Sequence, residues 1–488
     1  MLSPGFAARA LCVLLFVLAT PALAADRHQE LLDALLENGS ITQEQHDELS
    51  EEEERKAEEE SAKRDSADLP PVGAGPDDEV DERVNEEIAR AVERVLEREF
   101  PIKGSYGSKG FRLETRDGNW QTNLQWRFQF RLTHPYTGDP RQVANFNSSQ
   151  ERTSFDARRL RMKIGGHGYR PWLKYYFEID LQPLRDADDS SARSSARVID
   201  WRVDIAKFEK IALRLGQWKI DYNRERVDSS GRQQFVERSI VNRIFTIDRQ
   251  VGVSLRGRLF AGTPADLRYY AGIFNGEGRG TSNDDNELMY VGRIQWNFLG
   301  RDLALRQTDV ERTEKPTGSL AFGAAQTRSR CTRWSSSGCG NLDGFAAPGA
   351  ANLRQFETRQ AVQELAFKWQ GFSFQQEWHW KRVEDKAMNT ENDLYGFYAQ
   401  SGYFFHELFE VVPEELELAF RYAFVREPNA TSRNRSNERQ EFTLGANWFF
   451  WGHNNKITAD WSYLTLDDDV LRRDVFDHRF RLQWDISF

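Results

Sequence analysis

Basic side chains that recur at spacings of two or four positions are the residues in this sequence best suited to chemistry. They lie in two alternating runs: Arg127 and Arg131 in the first, and Arg159, Arg161 and Lys163 in the second. A period of two places such residues on one face of a β-strand and the intervening apolar residues on the other. Guanidinium groups bind carboxylate and phosphate oxygens through paired hydrogen bonds, so a ladder of them along a narrow, water-filled passage would favour anions.

A second interpretation of these basic residues is structural. Four acidic residues fall on the same face of neighbouring alternating runs: Glu178, Asp180, Asp200 and Asp204. Ion pairs between the two sets would brace a water-filled interior without giving it a strong charge preference. The sequence leaves both interpretations open.

The elements that must position these side chains are β-strands of about ten residues. The clearest runs from Asn119 to Leu132, where aromatic and aliphatic residues alternate strictly with Asn, Gln and Arg. Similar runs extend from Leu173 to Leu181 and from Ile199 to Ile205. The run that begins at Ile199 predicts that Ile199 and Trp201 both lie on the apolar face. With two weaker segments at 155–164 and 318–325, the count reaches about sixteen strands.

The length of this series predicts a membrane barrel rather than a soluble sandwich. Both folds alternate, but most of these strands carry Trp, Tyr or Phe near their ends, as the aromatic girdles of a barrel require. Closure also satisfies every backbone group in lipid and leaves no edge strand. We therefore predict an all-β fold, a transmembrane antiparallel β-barrel of about 16 strands over residues 101–488, embedded in outer-membrane lipid. Phe488 ends the last alternating strand, through which the barrel-assembly machinery is expected to recognise the chain.

The first hundred residues have a different composition. Arg9, an apolar run from Leu11 to Leu18 and the sequence Ala22-Leu23-Ala24 predict a signal peptide over residues 1–24. Residues 25–100 are predicted to form an acidic helical periplasmic segment with a possible short coiled coil. Between residues 26 and 99 there are 26 acidic and nine basic residues, a net charge of −17, whereas residues 101–488 carry +6. This asymmetry indicates two parts with different roles.

Cysteine and histidine usage argues against metal and enzyme sites. Cys331 and Cys339 lie in a Ser/Gly-rich stretch of a chain expected to be exported, which predicts a local loop disulfide. No histidine lies near them in sequence to complete a metal site. The histidines are scattered without a nucleophile motif, which disfavours an outer-membrane hydrolase. No catalytic residue, metal, cofactor or nucleic-acid partner is expected.

Five short motifs occur in a fixed order along the chain. They are Arg158-Arg159-Leu160-Arg161-Met162-Lys163-Ile164-Gly165, Leu213-Arg214-Leu215-Gly216-Gln217-Trp218-Lys219, Phe235-Val236-Glu237-Arg238-Ser239, Asp248-Arg249-Gln250-Val251-Gly252-Val253 and Ile273-Phe274-Asn275-Gly276. In this order they resemble the phosphate-selective porins O and P over most of the mature chain. The resemblance implies a sixteen-stranded barrel, a homotrimer and a lumen narrowed by an inward-folded loop, here Ile220 to Ile247.

By this resemblance the loop would help to select the solute. Its basic residues are Arg224, Arg226, Arg232, Arg238 and Arg243. Ser229 and Ser230 match the first two residues of the family's Ser-Ser-Lys element, but Gly231 stands at the position of the lysine. Arg226 and Arg232 could replace the charge of that lysine without copying its geometry, which puts phosphate specificity in question.

The function predicted from these observations is diffusion of small anionic solutes, such as phosphate or polyphosphate, through an arginine-lined outer-membrane porin. The N-terminal segment would then lie in the periplasm. One alternative is a general, non-selective porin. Another is a tether, in which the barrel only anchors the acidic helices.

Overall fold

The computed structural model describes residues 101–135, 140–146, 152–181, 196–336, 338–349 and 352–488. The predicted signal peptide (1–24) and acidic helical segment (25–100) lie outside these ranges. No helix within them is both long and apolar enough to cross a bilayer.

The described residues form twenty β-strands. In chain order they are β1 (Ile102–Gly107), β2 (Gly110–Thr115), β3 (Gln121–His134), β4 (Ser154–Gly168), β5 (Arg170–Asp180), β6 (Arg197–Phe208), β7 (Ile211–Lys219), β8 (Arg249–Leu259), β9 (Leu267–Phe274), β10 (Met289–Trp296), β11 (Thr317–Ser329), β12 (Arg333–Ser335), β13 (Gly338–Gly340), β14 (Phe356–Trp369), β15 (Phe372–Asp385), β16 (Thr390–Tyr403), β17 (Leu416–Pro428), β18 (Ser436–Trp451), β19 (Asn455–Asp468) and β20 (Arg473–Ser487). Short 3₁₀ turns cover Val143–Asn145 and Phe405–Glu407.

Sixteen of these strands form a closed antiparallel barrel. Strands β3 to β11 and β14 to β20 each pair with the next, and β20 closes the ring by pairing with β3. The segments predicted only weakly from the sequence are the barrel strands β4 and β11. Residues 101–488 are not all barrel wall, because β1 and β2 form a preceding hairpin whose second strand pairs with the start of β3. Strands β12 and β13 form a separate small hairpin in the loop that follows β11.

The two rims of the barrel differ in the length of their connections. Tight turns join β4 to β5, β6 to β7 and β14 to β15, and the barrel also begins and ends at that rim. The opposite rim carries the long connections from β7 to β8 and from β11 to β14. We call them the short-turn rim and the long-loop rim. In bacterial outer-membrane barrels the short turns face the periplasm and the longer loops face the outside.

The predicted alternation along the strands is confirmed. In β3 the side chains of Trp126 and Phe130 are exposed on the outer face, whereas those of Arg127 and Arg131 are buried on the inner face, at 2% and 4% exposure. Leu160 in β4 is likewise exposed outward. Apolar side chains on the outer face suit a lipid environment, and the polar inner face suits a hydrated lumen.

Two β-bulges shift side chains away from the strict alternation. The prediction that Ile199 lies on the outer face is wrong, because the register between β5 and β6 skips this residue. Ile199 is 1% exposed, and its neighbour Val198, at 49%, takes the outward position. A second bulge, between β3 and β4, leaves Arg158 without a register partner. A bulge changes which face each following residue occupies, so it cannot be read from periodicity alone.

The connection from β7 to β8 folds into the lumen, as the family resemblance implies. It contains two short helices, α1 (Arg224–Val227) and α2 (Ile240–Phe245). The apolar side of α2 packs on the inner wall in a cluster that includes Val241, Phe245, Tyr398 and Val425. The loop is therefore held by a small hydrophobic core built inside the barrel.

A second connection, between β10 and β11, reaches inward from the short-turn rim. Gln307 accepts a hydrogen bond from the backbone N–H of Gln234 at 2.7 Å and donates one to the side chain of Gln233 at 2.9 Å. Lys368 of β14 donates to the carbonyl of Thr308 in the same connection. The two inward-folded connections therefore contact each other inside the barrel.

Candidate functional site

Two cavities lie against the inward loop, one toward each rim. The outer cavity, near the long-loop rim, has a volume of about 450 Å³ and includes Arg131, Arg159 and Arg333 in its lining. The inner cavity, near the short-turn rim, has a volume of about 340 Å³ and includes Lys163 and Arg232. Basic side chains outnumber acidic ones in both. Nine arginines and three acidic residues line the outer cavity, and seven arginines or lysines and three acidic residues line the inner one.

In the outer cavity, three arginines of the wall surround one carboxylate of the loop. The Oε1 atom of Glu237 lies 2.8 Å from Nη1 of Arg131 and 2.7 Å from Nη2 of Arg158. Its Oε2 atom lies 4.0 Å from Nη2 of Arg159. Burial opposes ionisation of this carboxyl, but the arginines, Arg158 foremost, outweigh burial and hold the pKa of Glu237 well below its usual range.

In the inner cavity, Arg127 is held by both the wall and the loop. Its guanidinium donates to both carboxylate oxygens of Asp485, at 3.1 and 2.8 Å, and to the hydroxyls of Ser229 and Ser230, at 3.2 and 3.4 Å. Gly231 lies directly against this group, since a Cβ atom there would be 2.3 Å from Cζ of Arg127. The guanidinium thus occupies the space next to the position where the family carries a lysine.

Two other basic residues that were predicted to face the lumen, Arg161 and Lys163, also line the inner cavity. Arg161 contacts Glu178 at 2.8 Å and Asp180 at 3.3 Å, and Lys163 donates to the side-chain oxygen of Gln125 at 3.1 Å. Arg232 differs from them, because its side chain is exposed to the cavity and contacts no acceptor among the described residues. It is therefore the most available charge of this cavity.

Arginines of the inward loop also stabilise the loop itself. Arg226 forms a two-pronged ion pair with Asp248. Burial opposes ionisation there too, but Arg226, followed by Arg249, lowers the pKa of Asp248 below its usual range. Arg238 donates to the backbone carbonyls of Glu225, at 2.8 Å, and Asp228, at 2.8 Å. Burial, with Arg226 nearby, lowers the pKa of Arg238 to about 10.

The structure differs from the sequence prediction at Arg224. This residue was predicted to line the pore, but its side chain is 2% exposed and is absent from the lining of both cavities. Its guanidinium donates to the carbonyl of Ala304 in the second inward connection. The reason is geometric: in the single turn of α1, Arg224 and Arg226 point to different sides, and only Arg226 reaches a cavity. Arg243 of α2 lines the outer cavity.

Several site residues were missed by the sequence reasoning. Arg158 lies in the quoted Arg-Arg motif, but strict alternation would send it outward, and the bulge in β4 turns it toward the outer cavity. Glu237 and Asp485 are acidic partners supplied from far along the chain. Arg249 forms a two-pronged ion pair with Asp200, with both hydrogen bonds at 2.9 Å. It is the first residue of β8, where the sequence pattern did not predict which side chains face the lumen. Basic residues next to a bulge could have been found only by their family motif.

Cys331 and Cys339 form a disulfide, with their Cα atoms 5.7 Å apart. The bond closes the β12–β13 hairpin, whose residues Arg333 and Ser335 line the outer cavity. Within this hairpin the carbonyl of Trp334 accepts a hydrogen bond from the backbone N–H of Asp248 at 3.1 Å. The hairpin is therefore attached to the end of the inward loop.

A family model matches most of the chain. The model described as phosphate-selective porin O and P covers residues 119–486. No curated protein sequence matches the chain significantly.

Solved structures of outer-membrane proteins resemble the barrel. A loop-deletion mutant of OmpT, an outer membrane protein of Vibrio cholerae, has a TM-score of 0.50 at 11% identity, covering 75% of this chain and 99% of that chain. An anion-selective porin from Comamonas acidovorans has a TM-score of 0.47 at 10% identity, covering 75% and 99%. The outer membrane channel DcaP of Acinetobacter baumannii has a TM-score of 0.45 at 10% identity, covering 75% and 97%. At these identities the first match shows the fold alone.

Proposed function

The chain belongs to the phosphate-selective porin O and P family, and from that premise we propose that it is an anion-preferring porin, in which solutes diffuse through the two cavities beside the inward loop. The observation that carries the proposal is the excess of basic side chains in both cavities, nine against three and seven against three. The family and the closed barrel support a role as an outer-membrane channel. The anion preference and the arginine lining are what we propose.

Electrostatics supports this direction of selectivity. A narrow lumen with low-dielectric walls concentrates the field of its fixed charges, which raises the local concentration of anions and lowers that of cations. Conduction also requires that each site release its ion. A series of partly neutralised arginines suits that requirement better than one deep site, because each step then holds the anion weakly.

The solute we propose is a small oxyanion, without a commitment to phosphate. The family's lysine position is Gly231, and the space beside it is filled by the guanidinium of Arg127. A guanidinium offers a planar pair of donors where an ammonium offers a compact point charge. Phosphate and carboxylate groups both fit such donors, so the departure at Gly231 weakens the case for phosphate in particular.

The ion preference is tested by the reversal potential of the refolded protein in a planar bilayer under a KCl gradient. We expect a potential whose sign shows that chloride crosses more readily than potassium. A potassium preference would contradict the proposal. Adding phosphate to the same bilayer then measures whether phosphate reduces the chloride current.

A general, weakly selective porin is the second candidate, and the ion pairs of the lumen favour it. Arg127 pairs with Asp485, Arg161 with Glu178, Arg226 with Asp248 and Arg249 with Asp200. Paired charges cancel at a distance and contribute little to selectivity. For this candidate the same measurement should give a reversal potential close to zero, so the experiment separates the two.

The remaining predictions concern assembly. A homotrimer, a periplasmic N-terminal segment and recognition of the last strand by the barrel-assembly machinery stay predictions. Phe488 exchanges backbone hydrogen bonds with Trp126 at 2.9 and 3.0 Å, so the terminal residue continues the seam between the first and last barrel strands. If the chain is a tether instead, deleting residues 26–99 should remove its cellular role while single-channel conductance stays intact.

A further inference from the structure

Glu237 brings a carboxylate of the protein into a site that could hold a solute anion. Three arginines from two adjacent wall strands point at it, two of them within 2.8 Å of one oxygen. Its side chain is nevertheless 23% exposed and lines the outer cavity, so water and solutes reach it. A carboxylate held by converging guanidinium groups and open to solvent has the geometry of a bound oxyanion.

The loop does not depend on this side chain for its position. The backbone N–H of Val236 donates to Asp460 at 2.9 Å, and the carbonyl of Val236 accepts from Arg131 at 3.1 Å. On the other side, the carbonyl of Glu237 accepts from Arg421 at 3.0 Å, and the backbone N–H of Ile240 donates to Glu441 at 2.9 Å. The backbone is thus fixed to the barrel wall before and after Glu237, and the carboxylate can leave the arginines without moving the loop.

We propose that Arg131, Arg158 and Arg159 form a binding site for carboxylate-bearing solutes, and that Glu237 is its tethered resting occupant. A solute carboxylate entering from the long-loop rim displaces the Glu237 side chain, and Glu237 returns when the solute moves on. This inference rests on the proposed anion-porin function and adds the solute class and the residue that limits affinity. Because the Glu237 carboxylate competes with the solute for the three arginines, it weakens solute binding and so allows the solute to be released.

The test compares two neutralising substitutions in the same cavity. E237Q removes the competing charge from the three arginines. D156N is the matched control, since Asp156 also lines the outer cavity, yet it forms no ion pair with Arg131, Arg158 or Arg159 in the structure. Both changes alter the net charge of the cavity equally, so a difference between them isolates displacement from the general field.

The probe is acetate, and the measurement is its inhibition constant against the single-channel chloride current. We expect E237Q to bind acetate at least about tenfold more tightly than the wild type, and D156N less than about threefold, because only the first removes the carboxylate that competes for the three arginines. Should E237Q fail to insert, E237D serves, since its shorter side chain keeps the charge but withdraws from the arginines. It should then bind acetate more tightly than D156N does.

Two results would overturn the inference. Equal gains in E237Q and D156N would mean that only net charge matters, and no gain in E237Q would make Glu237 a fixed structural anchor. Neither result touches the proposed function, which fails separately if the wild-type reversal potential indicates a preference for cations. If the wild type prefers anions but E237Q and D156N bind acetate equally tightly, only the proposed role of Glu237 is refuted.

Discussion

The contact between Gly231 and Arg127 predicts a specific cost for adding a single methyl group to the inward loop. In G231A the new Cβ atom would lie 2.3 Å from Cζ of Arg127, well inside contact distance. Gly231 does not have a left-handed backbone conformation, so alanine is strained there only by this neighbour. The guanidinium must move to make room for the new methyl group. It is the far end of a flexible side chain, but its movement costs free energy because Asp485 holds it through two hydrogen bonds.

The magnitude follows from what the movement breaks. Losing one charge-assisted hydrogen bond costs roughly 1.5 to 3 kcal/mol, and overpacking a filled site costs about 1 to 3 kcal/mol. Part of each is recovered by relaxation, so we expect G231A to lower the free energy of unfolding by about 2 kcal/mol. In the background R127A/D485A, which removes the obstacle and its partner together, the same change should cost less than about 0.5 kcal/mol.

The assay is urea unfolding of the refolded barrel in detergent, followed by tryptophan fluorescence, for all four combinations of the two changes. The expected coupling energy is about 2 kcal/mol, far above the few tenths seen between independent sites. G292A is the matched control, because a Cβ atom at Gly292 would meet its nearest neighbour only at 4.0 Å. Additive costs would refute the reasoning, since they would show that Arg127 does not occupy the space beside Gly231.

Two further predictions concern charge in the inward loop. Burial raises the pKa of Asp228 to about 6 despite nearby Arg232, so this carboxyl is ionised at pH 7.5 and neutral at pH 5. Because protonation removes a negative charge from the inward loop, the selectivity for chloride over potassium should rise as the pH falls from 7.5 to 5. In D228N the rise should be smaller, and an unchanged rise would contradict the assignment to Asp228. R232Q should lower anion selectivity and change the free energy of unfolding by no more than about 0.5 kcal/mol, because the side chain of Arg232 is exposed. R224Q should instead lower stability and leave selectivity unchanged, because Arg224 is buried away from both cavities. Reversal potentials measure the selectivity of each variant, and urea midpoints measure its stability. The reverse pattern would contradict the placement of these two arginines.

Sequence alone determined the wall of the barrel. Strands with lipid on one side and water on the other must alternate apolar and polar residues, so period two identifies both the strands and the face of each residue. That was sufficient for Arg127 and Arg131, and for the weaker strands β4 and β11. The inward loop became recognisable only through its family motifs, because irregular chain has no period that shows where a side chain points.

Only the tertiary structure decided which charges face each other. The bulges that bury Ile199 and turn Arg158 inward depend on the pairing register of neighbouring strands, and one extra residue reverses every face that follows. Glu237 reaches Arg131 from 106 residues away, and Arg127 meets Asp485 across 358 residues. Such partners are brought together by closure of the barrel and by docking of the loop on its inner wall, and local residue patterns carry no information about either.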